Sequence, residues 1–125
     1  MSYFDPKEFA SKDGQPSPWP TVVDPELIVL CDRIRRLYGK PIVVNSGYRS
    51  PEHNAKVGGV ADSLHVKGRA ADITTLLKDR DDLPRLQEIC LKLNSTGGVG
   101  LYDTFVHVDI RGYAARWDVR NGKNS

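Results

Sequence analysis

The longest apolar run in the chain is Leu27-Ile28-Val29-Leu30-Cys31, five residues against the ~20 that a spanning helix needs. That excludes a transmembrane helix. Net charge is also scarce: 18 Lys and Arg against 16 Asp and Glu leave +2, too weak a field to hold nucleic acid or an anionic membrane. There are two cysteines and no Cys-x-x-Cys, too few for a disulfide scaffold. Both fall at apolar positions of predicted helices and read as buried thiols. Met1-Ser2-Tyr3-Phe4-Asp5-Pro6-Lys7-Glu8 has no basic segment leading into an apolar stretch. No secretory signal is read there, and the expected location is the cytoplasm as synthesised. Repeats and low-complexity blocks are absent too. With 125 residues, 39% apolar and 27% charged, one globular domain over residues 1–125 is expected, and a monomer.

Helix signals are clear in three places. Asp5-Pro6-x-Glu8 has the layout of a capping box with proline in the first turn. Gly14 and Pro16, Pro18 and Pro20 then force a loop, so residues 1–23 read as a short helix and a wrapping loop pinned by Trp19. Asp24-Pro25-Glu26 opens a second helix. Its stripe of Leu27, Leu30, Cys31, Ile34, Leu37 and Tyr38 has three-and-four spacing, Arg35 and Arg36 fall on the solvated face, and Gly39 ends it. Ser50-Pro51-Glu52 caps a helical turn that Gly58-Gly59 closes. A further helix over 81–94 places Leu83, Leu86, Cys90 and Leu93 on one side. Strands are expected at 41–44, 70–73, 99–102 and 105–110, with Trp117 closing the chain and 120–125 as a frayed tail. Helices set beside a small, mostly antiparallel sheet make the fold α+β.

Chemistry concentrates around two histidines. His65 and Asp72 stand seven residues apart with Gly68 between them to allow a turn, and His107 lies mid-strand with Asp109 two residues on. Side chains at 105, 107 and 109 therefore share a face. Two imidazoles and one carboxylate are a sufficient ligand set for a catalytic zinc, which keeps a fourth position open. The same residue types also form the two-His-one-carboxylate triad of iron(II) oxygenases. A chain with three helices leaves few strands for the barrel that usually hosts that triad.

Ser63-x-His65 followed by Gly68-x-Ala70-x-Asp72, then His107-x-Asp109 after a glycine-rich strand, resembles the zinc D-alanyl-D-alanine metallopeptidases. That group takes in DD-carboxypeptidases, vancomycin-resistance dipeptidases, phage endolysin peptidases and the hedgehog signalling domain. Ser46-Gly47-Tyr48-Arg49-Ser50, Asn54-x-x-Val57-Gly58-Gly59, the opening Tyr3 to Ala10 and the closing Arg111 to Trp117 extend the likeness along nearly the whole chain, in the manner of the compact bacterial and phage branch. The resemblance implies a hedgehog/DD-peptidase-like fold and one Zn2+ per chain on His65, Asp72 and His107. It also implies a zinc-dependent murein peptidase of carboxypeptidase or endopeptidase type acting on peptidoglycan stem peptides, reaching the wall once a lysis system releases it. Arg49 would grip the substrate carboxylate or the developing oxyanion, and Ser63 would serve substrate binding beside the metal loop.

In one respect the chain departs from the pattern. The dipeptidase branch carries Glu three residues before the last His ligand, where this chain has Thr104. Asp109, on the His107 face, and Asp103, in the preceding turn, are the expected candidates for the catalytic base. Asp109 has the alternative of orienting His107. Without a base, the same fold would be a weak or inactive zinc-binding module.

Overall fold

A computed structural model describes residues 2–121. The first turn is a 3-10 helix, Pro6–Phe9, and its capping box is complete: Asp5 accepts from the Lys7 amide while Glu8 accepts from the Asp5 amide at 2.8 Å. Three α-helices follow, α1 (Pro25–Tyr38), α2 (Pro51–Lys56) and α3 (Leu83–Leu93). Asp24 caps α1 by accepting from the Glu26 amide, and Gly39 ends it in the left-handed conformation at φ 81°. Only glycine adopts that conformation without a steric penalty. Ser50 caps α2 through the His53 amide.

Five strands, β1 (Ile42–Ser46), β2 (Ala70–Thr75), β3 (Gly98–Leu101), β4 (Val106–Asp109) and β5 (Ala115–Asp118), form one sheet in the order β1-β2-β4-β3-β5. All neighbours are antiparallel except β3 and β5. Alternation along the strands splits the sheet into two chemistries. Ala71, Ile73, Val99, Leu101, Val106 and Val108 point inward and join Leu27, Ile34, Leu86 and Cys90 in a single buried cluster. Each fully buried aliphatic side chain there contributes about 1.5–3 kcal/mol. That core holds the backbone of β2 and β4 in a fixed register. Cys31 and Cys90 are both buried free thiols.

The N-terminal segment lies across one end of the sheet. The Phe9 carbonyl accepts from the Tyr48 amide at 2.8 Å, and the Trp19 indole N–H donates to the Lys67 carbonyl at 2.8 Å. No helix among the described residues is long and apolar enough to cross a membrane.

Three expectations need correcting. Leu37 is 53% exposed, not part of the buried stripe, because Ile34 and Tyr38 already fill the inward positions of that last turn. A fifth strand exists around Trp117. It pairs in parallel with β3, a long-range pairing that four residues of mixed polarity do not advertise. Arg120 and Asn121 are tied down, Arg120 by Asp118 and Gln87 and Asn121 by Asp103; the remainder of the expected tail lies outside the described residues.

Candidate metal centre

The outer face of the sheet carries a single row of residues across all five strands. Ser46 pairs with Asp72, Asp72 with His107, His107 with Gly100, and Gly100 with Trp117. Glycine is required at its centre: a Cβ on Gly100 would lie 2.2 Å from Trp117 Nε1, and one on Gly98 would lie 2.2 Å from the Asp109 carboxylate. The Gly98-Val99-Gly100 alternation thus turns Val99 into the core and clears the other face for Trp117 and Asp109. Trp117 lies over that space, with its ring 5.1 Å from the His107 ring.

His65 reaches the row from the turn-rich segment before β2. Its amide donates to Ser63 Oγ at 3.1 Å, its carbonyl accepts from the Arg49 amide at 3.0 Å, and its side chain is 5% exposed. Gly68 supports the turn with φ 70°.

Hydrogen-bond partners assign the imidazole protons. His65 Nδ1 is 2.8 Å from the Gly47 carbonyl, an acceptor only, so Nδ1 carries the hydrogen and Nε2 presents a lone pair. That Nε2 faces Asp72 Oδ1 at 3.3 Å. His107 stands between two carboxylates, with Nε2 2.8 Å from Asp109 Oδ2 and Nδ1 3.1 Å from Asp72 Oδ1; when its proton lies on the Asp109 side, Nδ1 presents its lone pair toward Asp72. Two nitrogen lone pairs and a carboxylate oxygen therefore converge, with one ligand atom from each residue within 4.8 Å of the others. Three acceptors crowded together repel one another unless a cation sits between them. The donor set, two imidazoles and one carboxylate, fits zinc with a position left open.

The carboxylates are tuned for this. Burial favours the neutral acid at Asp72, but the His107 and His65 rings packed against it outweigh burial and hold the group well below the ordinary carboxylate range. Asp109 shows the same balance between burial and bonds from His107, Arg111 and the Gly98 amide. Burial works against a charged His107 and is outweighed by Asp109 and Asp72, which push its pKa up.

Asp109 shares the face of His107, yet it does not reach the open side. Its side chain has no exposed surface. Oδ1 accepts from the Gly98 amide at 2.9 Å and Arg111 Nε at 2.9 Å, and Oδ2 from the Arg111 guanidinium at 2.7 Å besides His107. It lies against the ring edge turned away from Asp72, the position of a carboxylate that fixes a ligating histidine. Asp103 is not brought to the group at all. It is exposed in the β3–β4 turn and accepts from the Asn121 amide at 2.6 Å.

Arg49 enters from the Asp72 side. Its Nε donates to Ser46 Oγ at 3.1 Å, one terminal nitrogen to Asn54 Oδ1 at 3.1 Å and the other to Asp72 Oδ2 at 3.4 Å. Beside His107 opens a cleft of about 510 Å³ whose lining includes Asp62, Ser63, Lys67, Arg111, Tyr113 and Trp117. Ser63 thus both braces the His65 turn and faces this cleft. Asn54, Trp117, Arg111 and the two glycines of β3 were not singled out from sequence as parts of the centre. The spacing Gly98-x-Gly100 inside a strand was the available signal, since alternate glycines mark a face on which something approaches closely.

Comparison with known proteins agrees with this chemistry. The family model for peptidase M15 matches residues 2–109. A zinc D-Ala-D-Ala carboxypeptidase of Streptomyces albus G is 53% identical over 34 residues, which are 27% of this chain and 13% of that relative.

Proposed function

Since the chain belongs to the peptidase M15 family, we propose that it is a zinc-dependent peptidase. Its substrates would be peptidoglycan stem peptides, cut at a bond to a D-amino acid. The observation that carries this reading is the convergence of His65, Asp72 and His107 lone pairs beside the Arg49 guanidinium. His65 through Nε2, His107 through Nδ1 and Asp72 through its carboxylate would hold the metal. Zinc, when bound, supplies polarisation of the scissile carbonyl and acidifies the attacking water.

The remaining roles belong to side chains. Arg49 has five N–H groups and spends three on Ser46, Asn54 and Asp72, leaving two without a partner among the described residues. A planar fork with two free N–H groups suits a carboxylate or an oxyanion better than lysine would. The cleft beside His107 takes the rest of the peptide, against the faces of Trp117 and Tyr113. Asp62 is exposed on that cleft and carries no hydrogen bond or ion pair among the described residues. It shares the lining of the cleft with His107, and on that ground we assign it the proton of the attacking water. Asp109 keeps His107 oriented.

Two measurements test the reading together. The purified chain is expected to hold about one zinc, and His65→Ala, Asp72→Ala and His107→Ala to lose it; full occupancy in all three overturns the ligand assignment. Mass spectrometry of digested peptidoglycan then identifies the bond, with loss of a single D-Ala marking a carboxypeptidase and separated cross-links an endopeptidase. No cleavage of either kind by the zinc-loaded chain overturns the peptidase reading and leaves a zinc-binding module.

A further inference from the structure

Asn54 is buried to 2% exposure on α2, and both ends of its amide are used. Oδ1 accepts from Arg49 at 3.1 Å, and Nδ2 donates to the Val60 carbonyl at 2.7 Å. Its own carbonyl accepts from the Gly59 amide at 2.8 Å. The segment from Val57 to Val60 therefore wraps around one side chain. Val60 is itself part of the cleft wall, so the amide of Asn54 ties the arginine of the centre to the wall of the cleft. The fit is close: a Cβ on Gly59 would lie 2.0 Å from Asn54 Oδ1, with Asn54 Cγ and Arg49 as its next nearest neighbours.

The chemistry of the amide matters as much as its position. A neutral oxygen orients a guanidinium without cancelling its charge. Asparagine alone among residues of this size also offers the donor that Val60 needs. A carboxylate here would neutralise Arg49 and set two oxygens against each other at the Val60 carbonyl.

We infer that Asn54 is a positioning residue that sets the preference of this site for a substrate ending in a free carboxylate, acting through Arg49. This rests on the role given to Arg49 above. The test uses the zinc-loaded full chain and one D-Ala-D-Ala peptide in two forms, with a free C-terminal carboxylate and with a C-terminal amide. The readout is the ratio of kcat/KM between the two forms, alongside zinc content.

The wild-type chain is expected to favour the carboxylate form. Asn54→Asp and Asn54→Ala are expected to lower that ratio about 10- to 100-fold, the usual worth of a hydrogen bond to a charged group, mostly through KM and with zinc retained. Gly59→Ala is expected to do the same without altering any charge, because the atoms nearest its methyl group belong to Asn54 and Arg49. The double variant Asn54→Ala with Gly59→Ala refills the vacated volume but restores no hydrogen bond, so the ratio is expected to stay low. Recovery of the ratio in the double variant overturns the inference, since packing alone would then account for Asn54. An undiminished ratio in all the single variants overturns it as well. A wild-type chain that cleaves both peptides equally removes the carboxylate role of Arg49 and this inference with it, whereas the first two outcomes leave that role standing.

Discussion

The Asp109 carboxylate meets His107 Nε2 at 2.8 Å, on the ring edge opposite the one that faces Asp72. With the His107 proton held on that edge, Nδ1 is the nitrogen left to bind a metal.

Asp109→Asn is therefore expected to weaken zinc binding about 10- to 100-fold, the usual effect of losing a partner that orients a ligating histidine. Competition with a chelator of known affinity measures it. Normal zinc affinity combined with a turnover loss of roughly 10²–10⁴ would instead give Asp109 the proton-transfer role.

Asp62 and Asp103 separate in a parallel experiment. Asp62→Asn is expected to keep its zinc and lose about 10²–10⁴ in kcat, with the acidic limb of the pH–rate profile abolished. Asp103→Asn is expected to change kcat less than twofold, because its carboxylate serves the Asn121 amide. The reverse ranking moves the base into the β3–β4 turn.

Gly100→Ala is expected to destabilise the fold by about 1–3 kcal/mol, the range for forced overpacking, as the new methyl group meets the Trp117 indole. Chemical denaturation followed by tryptophan fluorescence reads both the loss and the displaced ring. In a Trp117→Ala background the cost of Gly100→Ala is expected to fall below its cost in the wild-type chain, since the three atoms nearest the new methyl all belong to that indole.

Acid stability has a source outside the metal ligands. Hydrogen bonds from Ser50 and then Ser11 lower the Asp13 pKa from 3.8 to about 2. A depressed folded-state pKa adds stability above the ordinary value and loses it as pH falls toward the folded one. Between pH 4 and 2 the denaturation midpoint of the wild-type chain is expected to fall more steeply than that of Asp13→Asn. Identical slopes would show that the strap from Ser11 to Asp13 contributes nothing there.

Much of the centre was legible in the chain because its geometry is local. Alternation puts His107 opposite Val106 and Val108 whatever the partner strand, and Gly68 lets His65 turn back toward Asp72. What escaped depends on register between distant segments. Asp109 was on the right face, but its distance from the open side is set by Arg111 and the Gly98 amide, which no spacing encodes. Asp103 reads from sequence as a turn residue able to bend toward the metal, and only the return of the chain to Asn121 shows it engaged elsewhere. Trp117 belongs to a strand whose parallel partner lies across a crossover, so nothing adjacent in sequence marks it. Asn54 was visible as part of a motif, yet its task follows from Arg49 and Val60 arriving on either side.

The row from Ser46 to Trp117 crosses every strand, and its three lone-pair donors sit on β2, on β4 and on the segment that leads into β2. A cation held there clamps the central strand pair to an otherwise turn-built stretch of backbone. Binding to the folded chain and not the unfolded one adds RT ln(1 + [L]/Kd), about 4 kcal/mol when free metal is a thousandfold above Kd. For a domain of this size that is a large fraction of its total stability. Metal binding at this site would link free metal concentration to thermal endurance, and a chelator would act on the chain as a denaturant as well as an inhibitor.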